Sequence, residues 1–535
     1  MQLFKKIFYG RTSGTSQLTA QADRDQVANS AGAYVYALDP MDRVDRFLIL
    51  GSEGGTYYAT EHTLTVEGAQ HLAKMVREHG IAVVERIIAI SQAGRAPKVA
   101  PAIFALAMCA GFGDEATRRL ALGRGLTAVC RTGSHLLLFA SYIEQFRGWG
   151  RGLRSGVRAW YDSKSASELA YQFVKYQDRF GFTHRDLMRL AHPVATDEAR
   201  AALYAWVVRG TVPGEVPELG VIHAFETAKA LADADTTAWS ALIREANLPR
   251  EAVPSTWLRE PDVWAALLES MPMTAAIRNL ATMTRVGLLT PKSAATRLII
   301  ERLRDGARLR KARVHPIAVL SALETYRSGH GVRGSATWKP VDAIVDALED
   351  AFYAAFASVE PSGARTLVGL DVSGSMSCGA IAGVPGLTPR VAAAAMAMTH
   401  VRTEAHIDVM AFSDRFVPLA VDRNEPLRDV MRRTENLPFE RTDCALPMLY
   451  ALERRLAIDT FVIYTDNETW AGTIHPDEAL RRYRERMGLP SKLVVVGVTS
   501  TGFTIADPND PGMLDVVGFD AAAPAVIADF SQPAA

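Results

Sequence analysis

The stretch LVGLDVSGSMS, residues 367–377, ends an apolar run on Asp371 and then sets Ser373 and Ser375 at alternate positions. A carboxylate and two hydroxyls so close together are hard oxygen donors. They are the type that Mg²⁺ takes in near-octahedral coordination at about 2.0 to 2.1 Å, commonly with waters retained. Two more loops offer the same chemistry: Thr442 in ERTDCALPM opens a helical pattern, and Asp466 in VIYTDNETW directly follows an apolar run. Asp371, Ser373, Ser375, Thr442 and Asp466 thus form a candidate site for a divalent cation. The plain alternative for Asp-x-Ser-x-Ser taken alone is a helix N-cap, since Asp and Ser are capping residues. Nucleophilic catalysis has less behind it, because neither serine sits in a G-x-S-x-G elbow or has an evident histidine partner, and no H-E-x-x-H zinc motif occurs either. A phosphoaspartyl transferase would want a second carboxylate where Ser373 stands.

These loops need a frame that brings them together. After Phe356, ASVEPSGART reads as a linker. About 170 residues then alternate the apolar runs TLVGLD, HIDVMAF, FVPLAV, TFVIYTD and KLVVVGV with the amphipathic patterns PRVAAAAMAMTHVRTEA, DCALPMLYALERRLA and PDEALRRYRERMG. Alternating strand and helix predict a mainly parallel, doubly wound α/β sheet of Rossmann-like type that binds ligands at the carboxyl ends of its strands. Asp371 lies at one such end, and the domain is expected over residues 364–535.

From about Val66 to Tyr353 the apolar residues recur at three- and four-residue spacing, as in AQHLAKMVREHG and DVWAALLESM. This predicts a stack of helical pairs, an irregular α-helical solenoid of the HEAT-like repeat type without a strict sequence period. Just before it, RFLILG and TYYAT within Arg46 to Thr60 suggest a small hairpin. The first twenty or so residues read as a loose arm.

With 59 Lys and Arg against 59 Asp and Glu, the chain has no global electrostatic footprint, so any nucleic-acid surface has to be a local patch. One such stretch runs from Arg118 to Pro193 through FRGWGRGLRSGVRAWYDSKS and FVKYQDRFGFTHRDLMRLAHP. Lys175, Arg179, His184, Arg185, Arg189 and His192 are spaced to bring several onto one helical face or a neighbouring turn. Trp149, Trp160, Tyr161, Tyr176 and Phe182 could stack on bases if exposed, and are core residues otherwise. A second basic run, Arg297 to Pro316, could line a concave surface or be an ordinary solvated helix. Four cysteines without C-x-x-C spacing, no signal-peptide core and no apolar window near about 18 residues point to a cytoplasmic protein without a membrane span.

DVSGSMS, RTDC and YTDNETW resemble the metal-ion-dependent adhesion site of von Willebrand A domains. The resemblance implies that Ser373, Ser375 and Thr442 bind the ion directly, that Asp371 and Asp466 bind it directly or through water, and that an acidic partner group can fill an open position. Glu440 and Arg441 depart from the small residues of that pattern. NSAGAYVYALD, GRAPKVAPAIFALAMCA, GWGRGLRSGVRAWY, VKYQDRFGFTHRDLMRLAHP, MPMTAAIRNLATMT and ARVHPIAVLSALETYRSGHGVRG together resemble the TROVE domain of the Ro autoantigen family. The C-terminal half, ending in TSTGFTIADPNDPGMLDVVGFD, is similar to that family's own A domain.

The resemblance covers about Asp23 to Asp520. It implies an arm over 1–22, a closed HEAT-like ring over 23–358, and a monomer. It also implies small structured Y-like RNAs on an outer basic surface and single-stranded 3′ ends of aberrant RNAs in the ring hole. The expected role is RNA quality control or stress response, with an exoribonuclease such as polynucleotide phosphorylase as the partner that holds the ribonuclease chemistry. On the outer surface it points to Lys175, Arg179 and His192, with Arg185 and Arg189 added by proximity; Phe180 and Phe182 depart from the polar residue and tryptophan expected there. From another class, the chain could be a metal-dependent protein-interaction module with the helices as scaffold. An enzyme acting on RNA would need a second acidic cluster for two-metal hydrolysis, which the cation loops lack.

Overall fold

The structure is a computed structural model and describes residues 14–22, 24–51, 64–231, 236–331, 335–356, 359–378, 387–438 and 441–532. The chain divides into two compact units, one formed by residues 64–356 and the other by residues 1–63 together with 357–535.

The helical unit is built as its periodicity predicts. Helix Ala100–Phe112 carries almost no polar side chain and is buried all round from Pro101 to Ala110, packed between helices Gln70–Ala93 and Gly133–Phe146. Helix starts follow local capping chemistry. Thr132 accepts from the His135 amide, and Ser165 with Glu168 and Thr183 with Asp186 form reciprocal capping boxes. Helix Gln70–Ala93 kinks at His79, where the next residue, Gly80, lies so near Thr117 that a Cβ would meet its Oγ1 at 2.3 Å. The two ends of the array meet: His315 Nε2–H donates to the Arg95 carbonyl at 2.9 Å, and Arg313 lies against Gly94. Within this unit the helical array therefore closes on itself.

The α/β unit holds a six-stranded sheet. Counting also three short strands that lie outside that sheet, the strands of this unit are β1 Gln26–Ala28, β2 Tyr34–Ala37, β3 Thr366–Asp371, β4 Ile407–Phe412, β5 Phe416–Pro418, β6 Thr460–Thr465, β7 Lys492–Gly497, β8 Phe503–Thr504 and β9 Met513–Val517. The order is β9-β7-β6-β3-β4-β5, parallel throughout except for the β4–β5 hairpin. Every residue of β3 and β6 is buried, as expected of central strands covered on both faces. The five apolar runs supply β3 to β7. The edge strand β9 and the helices Leu427–Glu435 and Ala523–Ser531 lack so clear a signal and were not anticipated.

The N-terminal boundary differs from the one drawn at residue 23. β1 and β2 pair with β8 in a three-stranded antiparallel sheet, so residues 26–37 belong to the α/β unit rather than to the helical one. RFLILG is helical, within Pro40–Leu50, and not half of a hairpin. Asp39 caps that helix, Pro40 starts it and Gly51 ends it in the left-handed region, so the punctuation decides where a short apolar run could not. TYYAT lies outside the described residues, as do residues 1–13 of the expected arm, while Gln17 is wholly buried.

Arg46, on that helix, is 1 % exposed and fastens the N-terminal segment to the sheet. Its Nη2 donates to both carboxylate oxygens of Asp515 at 2.8 and 2.7 Å, and its Nη1 donates to the Thr501 carbonyl and hydroxyl at 3.1 Å. Removing one partner of such a pair strands the other charge in a poorly solvated site, typically costing about 3 to 5 kcal/mol. Arg46→Ala should therefore lower the unfolding free energy of the α/β unit by about that amount, read as a lower urea midpoint at unchanged slope. A midpoint unchanged from the parent protein would show that the N-terminal segment is not part of this cooperative unit.

Candidate metal centre and nucleic-acid surface

The cation loops meet at the carboxyl ends of the two central strands. β3 delivers Asp371, whose Oδ1 accepts from the Ser373 amide at 2.8 Å and whose Oδ2 accepts from the Thr465 hydroxyl, at the end of β6, at 2.7 Å. Ser373 Oγ and Ser375 Oγ are 3.2 Å apart, and the Ser375 hydroxyl hydrogen-bonds the Asp466 carboxylate. Asp466 Oδ1 also accepts from the Glu468 amide at 3.1 Å. Thr442 is buried, and its carbonyl accepts from the Trp470 and Ala471 amides at 3.0 and 2.9 Å, which ties the second loop to the third. Four of the five expected ligands are therefore in direct contact or direct electrostatic interaction, and Thr442 is held to the same loops through its backbone.

This is an unfavourable place for two carboxylates without a counter-charge. Burial, then the neighbouring Asp466, push the Asp371 carboxyl up to about 7, and burial raises Asp466 as well. Arg390 also feels Asp371, but its guanidinium donates to Ser377 Oγ and the Leu437 carbonyl. A divalent ion between the carboxylates would remove the repulsion, and three hydroxyls complete an oxygen donor set of suitable type. Arg441, the resident charged neighbour of Thr442, stacks its guanidinium over the Trp470 ring at 5.2 Å; Glu440 lies outside the described residues.

Sequence reasoning missed the supports. Gln17 Nε2 donates to Asp443 Oδ1 and the Ile474 carbonyl, both at 2.9 Å, and its Oε1 accepts from Thr469 Oγ1 at 2.7 Å. Asn29 Nδ2 donates to the Thr469 carbonyl at 2.9 Å. A Cβ at Gly472 would lie 2.2 Å from Gln17 Nε2, so a glycine in AGT is the one trace of this packing in the sequence. Thr465 was overlooked because it reads as the last residue of an apolar strand.

In the helical unit, Lys175 ends helix Ala166–Lys175, half-buried, with its ammonium 5.4 Å from the Tyr171 ring centroid and 5.6 Å from that of Tyr176. Arg179 is exposed in the two-stranded hairpin Asp178–Arg179/Phe182–Thr183, and helix His184–Ala191 follows at once. Arg185 and Arg189 stand one turn apart on that helix, both exposed, and His192 caps its C-terminus in the left-handed region. All five expected RNA contacts thus come from three consecutive elements.

Their companions divide. Trp160 and Tyr161 are fully buried, Trp160 Nε1 donates to the Cys130 carbonyl, and Tyr161 Oη meets His184 Nδ1 at 3.0 Å. These rings and His184 are core, which decides Trp160 and Tyr161 for the packing reading and removes His184 from the basic face. Trp149, Tyr176 and Phe182 are half-buried. In the second basic run, Arg302 donates to the Leu268 and Glu269 carbonyls, Arg304 pairs with Asp350, Arg308 with Asp305, and Arg310 donates to the Ala354 carbonyl. That run is largely engaged within its own unit.

Comparison with known proteins finds a family match on each unit, the first of which begins within the N-terminal segment that pairs with the α/β unit. The TROVE domain family matches residues 27–212 and 245–327, and the Ro60 vWA domain family matches residues 365–531. The chain belongs to the Ro family. It is 44 % identical to the RNA-binding protein RO60 of Deinococcus radiodurans, covering 96 % of this chain and 97 % of that one. It is 35 % identical to the RNA-binding protein RO60 of Caenorhabditis elegans, covering 94 % and 90 %. The crystal structure of the Deinococcus radiodurans Ro (RSR) protein superposes with a TM-score of 0.71 at 43 % identity, over 92 % of this chain and 99 % of that one. Both relatives are named for RNA binding and neither for a catalytic activity. Among the described residues no helix is long and apolar enough to cross a membrane.

The raised carboxyls fix the sign of a pH effect. Between about pH 4 and pH 7 the folded protein keeps a proton on Asp371 that the unfolded chain has already released, so metal-free stability falls as pH rises through that window. The urea midpoint in EDTA should drop between pH 5 and pH 7.5. Asp371→Asn should flatten that decline; an equally steep one in the variant would assign it to other groups.

Proposed function

We propose that this protein binds RNA through the helical unit and holds a divalent cation, Mg²⁺ by its ligand type, in the α/β unit. The observation that carries the RNA reading is the convergence of Lys175, Arg179, Arg185, Arg189 and His192 from one helix end, one hairpin and the next helix. Among the described residues Arg185, Arg189 and His192 commit their side chains to no ion pair or hydrogen bond, unlike the arginines of the second basic run. Uncommitted arginine and histidine donors on an exposed surface suit phosphates, which fix the register of a structured RNA. Small Y-like RNAs are the class we assign to this surface. Single-stranded 3′ ends of aberrant RNAs are assigned to the interior of the closed helical array. The surveillance role follows, with RNA degradation left to an exoribonuclease partner.

The cation would be held by Asp371, Ser373, Ser375, Thr442 and Asp466. When bound it would offer a coordination position to an acidic group of a protein partner. Ser375 is exposed, so the site has an open side, and this observation favours protein capture as a second activity of the same chain.

The test is a gel-shift titration of a small stem-loop RNA with a single-stranded 3′ tail at two salt concentrations. Each phosphate neutralised contributes about −0.7 to −0.9 to the slope of log K against log salt. Lys175→Ala/Arg179→Ala/His192→Ala should weaken binding and make that slope shallower by about two. Folded, nucleic-acid-free protein that leaves the RNA unshifted would overturn the reading in favour of the metal-dependent interaction module. Ser373→Ala/Ser375→Ala should leave RNA affinity within about twofold while removing stabilisation by Mg²⁺ in a thermal melt. A large loss of RNA affinity in that folded variant would contradict the assignment of the two roles to separate units.

A further inference from the structure

The hairpin between the two helices of the basic surface turns on Phe180 and Gly181, both with positive φ, at 57° and 78°. A two-residue turn of this kind asks for φ above zero at both central positions and is normally filled by Asn-Gly or Asp-Gly. Phenylalanine is a poor choice there, because its Cβ crowds the backbone in the left-handed region. Its side chain is not rescued by packing. Phe180 is 52 % exposed, and among the described residues it is the one exposed aromatic side chain. A bulky residue that is both strained and solvated is explained neither by turn chemistry nor by the core. Non-glycine strain of this sort collects at functional sites.

Its surroundings indicate what would cover it. Arg179 precedes it and is exposed, and its guanidinium is turned back onto the Asp178 carbonyl. Arg185, Arg189 and His192 follow within twelve residues, all exposed, and a Cβ on Gly181 would meet nothing within 4 Å. Glu251 is the acidic group whose charge reaches Lys175 and Tyr176 on the neighbouring helix end. An apolar protein partner would have to bury these cations, whereas a nucleic acid brings phosphates to them and a flat base to the ring. In a paired stem the base faces are already occupied, so the ring needs a base in a loop, bulge or end.

We propose that Phe180 stacks on an unpaired base of the bound RNA, so that this surface prefers a stem interrupted by unpaired nucleotides over a continuous duplex. This rests on the RNA reading above and adds a residue that selects among RNAs, where the neighbouring cations only attract phosphate.

The test compares two RNAs of equal length, a stem with an internal loop containing 2-aminopurine and the same stem fully paired, on intact protein and on Phe180→Asn. Asparagine suits the turn, so the variant should melt at or above the parent temperature. Removing one stacked base typically costs a factor of about ten to a hundred in affinity. Phe180→Asn should lose roughly that factor on the looped RNA and little on the duplex, abolishing the preference and the change in 2-aminopurine fluorescence. Phe180→Trp should retain both. If the parent protein binds with the expected salt dependence but Phe180→Asn keeps the preference, the stacking assignment is wrong and the RNA reading stands. If the parent shifts neither RNA, both fall together.

Discussion

Two carboxylates buried side by side at the end of a parallel sheet are the constraint on which the α/β unit depends. Asp371 ends one central strand and Asp466 directly follows its neighbour, and burial and mutual repulsion both oppose their charges. The fold answers with donors: the Ser373 amide and Thr465 hydroxyl for Asp371, the Ser375 hydroxyl and Glu468 amide for Asp466. Hydrogen bonds to the charged form lower a carboxyl's pKa, but here they do not overcome desolvation. What remains is an electrostatic deficit that a small, hard cation can fill.

The same deficit explains why the N-terminal segment belongs to this unit. Asp443, next to Thr442, is also buried, and burial pushes it up to about 6. Its partners are the Ala445 amide and Gln17 Nε2. A segment more than four hundred residues away in sequence thus supplies one of the donors that hold the second loop. Arg46 then anchors the segment by a bidentate ion pair to Asp515. Such long-range ties leave no periodic mark, since a lone glutamine in a polar stretch looks the same whether it is solvated or buried.

This is the physical limit of what could be read in advance. The five apolar runs gave five strands because continuous β-branched sequence has few other uses, and the helical unit followed from three- and four-residue spacing. The cation loops were legible because strand ends at Asp371 and Asp466 and a helix start after Thr442 are local events. Residues 26–37 join the α/β unit by pairing with β8, which the sequence does not show because short strands carry no address for their partner, and RFLILG sits in a helix because Asp39 and Gly51 punctuate it, which its apolar run alone does not reveal. Trp160 and Tyr161 were ambiguous by type, and only the packing against His184 and Cys130 decides that they are core.

Charge shows the same distinction at a functional surface. By composition, Arg302, Arg304, Arg308 and Arg310 are as basic as Arg185 and Arg189, yet the first group is spent on carbonyls and carboxylates of its own unit. A paired carboxylate offsets the field of a guanidinium, and one held to carbonyls has fewer donors left for a phosphate, so a chain with balanced total charge can still present a local cationic surface where partners are withheld. The backbone around that surface is left-handed at two non-glycine residues, Phe180 and His192, each of which costs of order 1 kcal/mol or more. Unsatisfied charge and backbone strain therefore coincide on three consecutive elements, whereas the capping boxes at Ser165 and Thr183 hold the helices that carry them. A surface kept uncomfortable on a well-capped scaffold gains most from a ligand that brings its own phosphates.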